Sequence, residues 1–469
     1  MENYDTIAAI ATGMTDSGIG IIRISGENAV TVGNRLFRSP SGKKILDSAQ
    51  SHMLYYGYAV CEESDKMIDE VMAVVLKAPR SYTGEDTVEI QCHGGVLVMR
   101  RLLDIILKYG ARLAMPGEFT KRAFLHGRID LSKAEAVMDL ISSQNEAALA
   151  ASVNQLRGAL ADKIKNLREE LIYEIAFIES ALDDPEHMDL EGYPEKLLAK
   201  IMILSNDISG LIAGAEDGRL IKEGINTVIV GKPNVGKSSF LNCLLGEDRA
   251  IVTEIAGTTR DILQDTVRIG SISLNIVDTA GIRETADRVE KIGVEKARKY
   301  AKNADLIVYV VDASVALDND DKEIVSLIKN QNIIVLMNKN DLVSTVTEED
   351  IRLLFQDRTE EKRPPVILKI SAALCEGMAE FEEAVKELFF HGEIASGNEV
   401  VITNLRHKEA LQESLDALML VRKSIEEGMP EDFYSIDLMN AYTALGRIIG
   451  EAVEDDLVEE IFSKFCMGK

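Results

Sequence analysis

The spacing of apolar residues changes character three times along the chain. Over residues 1–120, short apolar runs alternate with turn residues, and Gly20–Ser25, Tyr55–Val60, Val71–Leu76 and Thr87–Gln91 predict strands of an α+β domain. From about residue 123 the period becomes helical. Leu149, Val153, Leu156, Leu160, Ile164, Leu167, Leu171, Ile175, Ile178 and Leu182 recur every three or four positions. This is one apolar stripe on a single long helix, ended by Asp183, Asp184 and Pro185, and it is packing surface rather than a cofactor site. Between Asn226 and about Phe390, buried-strand runs alternate with helical segments: Thr227–Val230, Leu274–Val277, Leu306–Val311, Ile333–Met337 and Val366–Ile370. That alternation predicts a parallel sheet covered on both faces. Helical spacing returns at Lys408–Glu426 and Asp437–Ser463. There is no repeat and no low-complexity segment.

The expected architecture is multidomain, α/β plus α. Residues 1–120 form an N-terminal α+β domain, 121–220 the first part of a helical domain, 221–385 a Ras-like α/β P-loop domain, and 386–469 the second part of the helical domain. An all-α domain interrupted by the α/β domain is the economical arrangement, because insertions are tolerated where chain ends lie close together.

Composition narrows the functional classes. The 469 residues exceed what one core organises, and 46% apolar with 28% charged residues is ordinary for a globular protein. Apolar runs such as Ile307–Val311 and Ile333–Met337 are far shorter than the roughly 20 residues of a membrane span. The N-terminus lacks the basic and apolar regions of a signal peptide. Cysteines at 61, 92, 243, 375 and 466 form no disulfide framework or zinc pattern, so a reducing cytoplasm is expected. Lys plus Arg (52) against Asp plus Glu (78) gives a net charge of −26, which disfavours a protein that coats nucleic acid. The balance is uneven: Arg100, Arg101, Lys108, Arg112, Lys121, Arg122, Arg128 and Lys133 face only Asp104, Glu118 and Asp130 within their stretch. An RNA partner is therefore expected to dock locally or with a second protein, although a solvated surface explains the stretch equally well.

The chemistry-bearing residues lie in the third region. Gly231-Lys-Pro-Asn-Val-Gly236-Lys237-Ser238 follows a strand and opens a helix, the context a phosphate loop requires. Backbone N–H groups of Asn234, Val235, Gly236, Ser238 and Ser239 are placed to close around phosphates, with the helix N-terminus adding positive potential. Lys237 is expected to reach the β- and γ-phosphates, and the Ser238 hydroxyl to bind Mg²⁺. Asp278-Thr279-Ala280-Gly281 closes a strand. Its Asp is expected to hold magnesium through water, and its Gly N–H to sense the γ-phosphate. Asn338-Lys339-Asn340-Asp341 ends another strand, where Asp341 can accept from guanine N1–H and N2–H, donors that adenine lacks. Ser371-Ala372 ends the last strand, where a backbone N–H can meet the guanine carbonyl. Together these motifs specify GTP over ATP. Between them, Thr253-Glu254-Ile255-Ala256-Gly257-Thr258-Thr259 forms a first switch segment, with Thr259 the second hydroxyl ligand for Mg²⁺. Ile282 follows the Asp278 motif where Ras-like enzymes carry a water-orienting glutamine, so turnover needs another water-positioning group or an added charge.

Over essentially the whole chain the sequence resembles the MnmE/TrmE family of tRNA wobble-uridine modification GTPases, within the wider TrmE-Era-EngA-like group. The resemblance rests on Asp5-Thr-Ile-Ala, Gly20-Ile-Ile-Arg23-Ile-Ser-Gly26, Tyr82-Thr-Gly-Glu-Asp86, His93-Gly-Gly95, Pro116-Gly-Glu-Phe-Thr120, Ala123-Phe-Leu and Asp130-Leu-Ser-Lys-Ala-Glu135. The nucleotide motifs and the terminal Phe465-Cys-Met-Gly-Lys469 complete it. A cysteine fourth from the end also suggests prenylation, but Gly468 and Lys469 fit that motif poorly.

The resemblance implies a homodimeric, cytoplasmic, Mg²⁺- and K⁺-dependent GTPase activated when two G domains meet. Potassium would be held by Asn234, Thr253, Ile255 and Thr258, and Glu290 would position water in place of the missing glutamine, with Lys237 on the phosphates. Arg283, in the same switch, is implied to stabilise the loop. The N-terminal domain would bind a tetrahydrofolate derivative, of 5-formyl or methylene type, through Arg23, Glu89, Arg128 and Lys469; arginine at 128 replaces the lysine of some members. Cys466 is the implied residue for modification chemistry. An FAD-containing partner of MnmG/GidA type would join in a hetero-oligomer acting on tRNA. Two alternatives remain open from the residues: a ribosome-assembly GTPase of Era/EngA type, and a GTP-binding switch without turnover. Against the first, the tail from Glu393 carries sixteen acidic and seven basic residues where an RNA-binding module is expected.

Overall fold

Strands from the alternating runs form two separate sheets, one in each of two compact units of the chain. The computed structural model describes residues 5–184, 187, 191–246, 264–277, 303–358, 363–390, 400–451, 455–463, 465 and 468. One unit comprises Met1–Met138, Gln155–Phe177 and Met439–Lys469, and the other Asp139–Asn154 and Ile178–Leu438.

In chain order the N-terminal region contains β1 (Ile7–Ile10), β2 (Ser17–Ser25), α1 (Ala29–Leu36), β3 (Phe37–Arg38), β4 (Leu54–Cys61), β5 (Lys66–Leu76), β6 (Thr87–Gly94), α2 (Val96–Lys108), β7 (Arg112–Leu113) and α3 (Glu118–Leu125). Its strands order as β3-β4-β5-β6-β2-β1-β7, antiparallel except for the β1–β7 pair. The alternating pattern explains the layering. Ile22 and Ile24 of β2, with Val88 and Ile90 of β6, point to the same core as Val32 and Leu36 of α1 and Met99, Leu102 and Ile106 of α2. Each such side chain contributes about 1.5–3 kcal/mol by leaving water. Register then fixes the opposite face: Arg23 lies opposite Glu89, and a one-residue slip would turn Arg23 into the core.

Two sequence motifs meet through Arg122, whose side chain is 2% exposed. Its guanidinium donates to Glu85 at 3.1 Å and to Glu118 at 2.9 Å, clamping the 82–86 loop to α3. Burial pushes the Glu118 carboxyl up, but hydrogen bonds from Arg112, the Met115 N–H and Arg122 outweigh it and lower the pKa to about 2.

The helical stretch is divided differently from the pattern. It runs as α4 (Leu131–Ser142), α5 (Glu146–Arg157), α6 (Ala159–Asp183), α7 (Tyr193–Ala213) and α8 (Ala215–Glu223). The single long helix expected over 149–182 is thus two helices, separated at Gly158. That residue has φ +105°, a conformation L side chains avoid, and a Cβ there would lie 3.1 Å from the Lys133 side chain. In α6 the stripe is buried from Leu160 to Ile178, whereas α5 buries the neighbouring face at Ala148, Ser152 and Gln155 and leaves Leu149 exposed. A like break comes later: the helix expected over 437–463 is α14 and α15, parted at Gly450 with φ +88°.

The second sheet is built from β8 (Ile225–Val230), β9 (Gln264–Ile269), β10 (Ile272–Val277), β11 (Leu306–Asp312), β12 (Ile333–Asn338) and β13 (Val366–Lys369). Its helices are α9 (Lys237–Leu245), α10 (Asn319–Ile328), α11 (Glu348–Leu354) and α12 (Met378–Phe390), followed by α13 (Leu405–Glu426), α14 (Glu431–Ile449) and α15 (Asp455–Ser463). The strand order is β13-β12-β11-β8-β10-β9, parallel throughout except for the antiparallel edge strand β9. Continuous burial of β11 and β12 follows from helices on both faces. Phe240 of α9 meets Phe381 of α12 edge-on at 5.2 Å on one side, while Val325, Ile328 and Ile351 of α10 and α11 pack on the other. Loops at the carboxyl ends of β8, β12 and β13 therefore gather on one edge, where open α/β sheets bind ligands.

The stretch Tyr193–Glu223 is long and apolar enough to cross a membrane by length and composition alone. It comprises two abutting helices, and Leu197, Ile201, Leu204 and Ile208 of α7 are buried residues of a helix packed against α13.

Candidate functional site

The phosphate loop leaves β8 and enters α9 through two residues in the left-handed region, Asn234 (φ +61°) and Gly236 (φ +101°). A side chain at Gly236 would collide with the amide of Asn338, so the close approach of two nucleotide motifs depends on its missing Cβ. Asn338 occupies the centre. It is 2% exposed; its Nδ2 donates to Val235 O at 2.7 Å, and its Oδ1 accepts from the Ala372 N–H at 2.9 Å. One side chain thus joins the phosphate loop, the end of β12 and the loop after β13.

Lys237 curls over its own loop, donating to Gly231 O at 2.8 Å and Lys232 O at 2.6 Å, and burial pushes its ammonium pKa down. Those carbonyls hold the cation where bound phosphate oxygens would replace them. Ser238 and Ser239 are exposed in the first turn of α9, and Asn234 is exposed at the loop's tip. At the other end, Asp341 accepts from Ser371 Oγ at 2.7 Å, which orients an exposed carboxylate toward the rim. Lys339 reaches Asp312 Oδ2 at 2.5 Å.

The motif reading expected a backbone N–H of Ser371-Ala372 to be open for the guanine carbonyl. In this structure the Ser371 N–H donates to Glu376 O and the Ala372 N–H to Asn338, so a base would share or displace one of these bonds.

The structure thus brings Asn234, Val235, Gly236, Lys237, Ser238, Ser239, Asn338, Lys339, Asp341, Ser371 and Ala372 to one sheet edge. The switch residues Thr253, Glu254, Ile255, Ala256, Gly257, Thr258 and Thr259 lie outside the described residues. So do Asp278, Thr279, Ala280, Gly281, Ile282, Arg283 and Glu290, together with Cys466 and Lys469.

Sequence reasoning missed a second anchor. Lys232 Nζ donates to Asp318 at 2.9 Å and to Asp321 at 2.7 Å, and Tyr309 donates to the buried Asp321 at 2.8 Å. Asp318 also caps α10. No local motif signals a lysine whose partners lie about ninety residues on. The cysteine reading also changes: Cys243 of α9 and Cys375, 132 residues apart in sequence, form a disulfide, which spacing alone did not reveal.

In the N-terminal sheet, two of the four residues proposed for folate, Arg23 and Arg128, converge on Tyr82. The Arg23 guanidinium lies 5.4 Å from its ring centroid and that of Arg128 lies 5.3 Å from it. Arg23 Nε also donates to Glu89 at 2.8 Å. A pocket of about 510 Å³ opens here, lined by His52, Leu76, Pro79, Arg80, Tyr82 and Arg128. Ser81 lines it too, and its Oγ is buried without a hydrogen-bond partner among the described residues. Phe465 packs in a cluster with Phe462 and Leu131, and Gly468 sits against Ile10 and Ala11, beside the row that carries Arg23. Tyr82 and Ser81 line this pocket, and the sequence did not single them out, although Tyr82 heads one of the quoted motifs.

Comparison with known proteins decides the family. The MnmE helical domain matches residues 131–466, and the GTP-binding protein TrmE N-terminus matches residues 6–128. The chain belongs to the MnmE family. An MnmE relative from Lachnoclostridium phytofermentans, described as a tRNA modification GTPase, is 55% identical over 465 residues, 99% of each chain. MnmE relatives bearing the same description come from Clostridioides difficile, at 47% identity over 99% of each chain, and from Bacillus subtilis, at 43% over 99% of this chain and all of that one.

Proposed function

We propose that this chain is a potassium-stimulated GTPase whose nucleotide cycle serves modification of C5 of the wobble uridine in certain tRNAs. Membership of a family of tRNA modification GTPases makes it a GTP hydrolase that uses Mg²⁺. The observation that carries the nucleotide site is the Asn338 brace, which sets phosphate loop and base loop at a fixed separation, with Asp341 oriented by Ser371. In this reading, Ser238 and Thr259 hold Mg²⁺, while Asn234, Thr253, Ile255 and Thr258 hold K⁺ beside the β- and γ-phosphates. Glu290 positions water, and G-domain dimerisation completes the site. Residues 121–220 and 386–469 form a helical domain interrupted by the G domain at 221–385, in a cytoplasmic homodimer.

Asp341 tests the base reading. A carboxylate accepts from guanine N1–H and N2–H, whereas an amide presents a donor where guanine also donates. Asp341→Asn is expected to weaken GTP binding and favour xanthosine nucleotides, by roughly 1–3 kcal/mol in discrimination. Competition titrations with the two triphosphates measure it, and unchanged preference for GTP would place the base elsewhere.

The pocket at Tyr82 suits a tetrahydrofolate derivative. Its volume fits a small-molecule site, Arg23 and Arg128 suit a glutamate tail, Tyr82 offers a ring face, and Ser81 offers an unused buried hydroxyl. Lys469 would complete it from the chain end and Cys466 would take part in the transfer. Calorimetry with 5-formyl-tetrahydrofolate is expected to show at least about tenfold weaker binding for Arg23→Ala, the effect of one lost charge-assisted contact; equal affinity removes Arg23 from the site. The modification is proposed to require a separate FAD-containing partner in a hetero-oligomer. Nucleoside analysis of tRNA incubated with both proteins, GTP and the folate tests this, and unmodified wobble uridine would contradict it.

A further inference from the structure

Cys243 and Cys375 meet beside the proposed base pocket. Cys243 is half-buried on α9, the helix whose first residue is Lys237, and Cys375 is exposed in the loop that follows Ser371 and Ala372. Their Cα atoms lie 5.6 Å apart, within the range a disulfide needs, and the two sulfurs are bonded. Cys243 Sγ is also 3.0 Å from Ala372 O, in the residue whose N–H is held by Asn338. The bond thus fastens the phosphate-binding helix covalently to the base-binding loop. The other two cysteines in the described residues, Cys61 and Cys92, are free.

We propose that Cys375 is an oxidative modification site, resolved by Cys243, and that forming their disulfide slows release of guanine nucleotide. The proposal rests on the nucleotide-site reading above. Exposure sets the order of events, since a reactive thiol needs access and a resolving thiol needs only proximity. With hydrogen peroxide as oxidant, the Cys375 thiolate attacks one oxygen and the O–O bond breaks, leaving a sulfenic acid and hydroxide, which takes a proton to become water. The Cys243 thiolate then attacks the Cys375 sulfur, the S–S bond forms, and the second oxygen leaves as water. Two thiols have lost two electrons and two protons, and one peroxide has become two waters. A dithiol reductant reverses the bond by exchange. Nucleotide release needs the base loop and the phosphate helix to loosen their joint grip, and the cross-link opposes their separation.

The test uses the full chain with fluorescently labelled GDP, chased by excess unlabelled GDP. Dissociation is measured after dithiol reduction, after hydrogen peroxide, and after renewed reduction, with peptide mass spectrometry reporting the Cys243–Cys375 link. The expected result is about tenfold slower release in the oxidised protein, a coupling at the low end of the usual range. Reduction should restore the rate, and Cys375→Ser and Cys243→Ser should each release at the reduced rate in either condition. Oxidised protein that carries the link yet releases at the reduced rate would overturn the proposal. So would peroxide treatment that forms no link, or a peroxide response that persists in both serine variants. Failure of the reduced protein to bind labelled GDP would instead overturn the nucleotide-site reading, and the proposal with it.

Discussion

Asn338→Ala is expected to weaken guanine-nucleotide binding by about 10²-fold while leaving the sheet folded. The side chain makes two buried hydrogen bonds, to Val235 O and from the Ala372 N–H, and no neighbouring group replaces a lost amide at a site 2% exposed. Each group orphaned in this way costs about 1–3 kcal/mol, and 1.4 kcal/mol is tenfold in affinity. The loss falls on binding because the brace holds the two loops in the arrangement a nucleotide needs, and without it the ligand must order them itself. Phe240, Phe381, Val308 and Leu336 pack independently of Asn338, so the melting temperature of the variant should fall only modestly. Equilibrium titration with labelled GDP, alongside thermal unfolding, measures both quantities. A variant that binds GDP like the parent would show that Asn338 is no brace.

Glu290→Ala is expected to bind GTP nearly normally and to hydrolyse it at least roughly 10²-fold more slowly in single-turnover kinetics. The expectation starts from a deficiency. Ile282 stands where a Ras-like enzyme keeps a glutamine, and an isoleucine offers no hydrogen bond to water. Some other polar group must order the nucleophile for turnover to occur. Residues 284–291 supply carboxylates at Glu284, Asp287 and Glu290, and spacing from Asp278 within the MnmE family favours Glu290. A carboxylate there can accept from the attacking water directly or through a second water. If Glu290→Ala cleaves GTP at the parent rate, Glu284→Ala and Asp287→Ala become the variants to measure.

Local signals were legible in the sequence and distant ones were not. The strands at β2, β4, β5, β6, β8, β10, β11, β12 and β13 were read from short apolar runs, because burial of alternate or consecutive side chains leaves its mark within a few residues. Two-residue β3 and β7 left too little pattern, and edge strand β9 lies antiparallel beside β10 with no comparable apolar run. Helix length was misread at Gly158 and Gly450 because apolar periodicity does not report continuity of backbone, and each glycine takes a positive φ that ends the helix. In the nucleotide site, the motif residues were found because phosphate and base recognition demand fixed residue types at fixed spacing. Lys232 was missed because its partners Asp318 and Asp321 lie 86 and 89 residues away. The Cys243–Cys375 bond was missed for the same reason, and Asn338 was read as a ligand contact where the structure adds a bracing role. In the N-terminal sheet, Arg23 and Glu89 became meaningful as a pair only through the β2–β6 register.

Potassium dependence tests the central claim most directly. Asn234 stands exposed at the tip of the phosphate loop with its side-chain carbonyl available as a hard-cation ligand, and the proposed mechanism relies on that cation for charge beside the β- and γ-phosphates. GTP turnover by the full chain with Mg²⁺, measured at equal ionic strength in potassium and in sodium chloride, is expected to be more than about tenfold faster in potassium. Asn234→Ala should abolish the difference. Equal rates in the two salts for the parent protein would contradict the account.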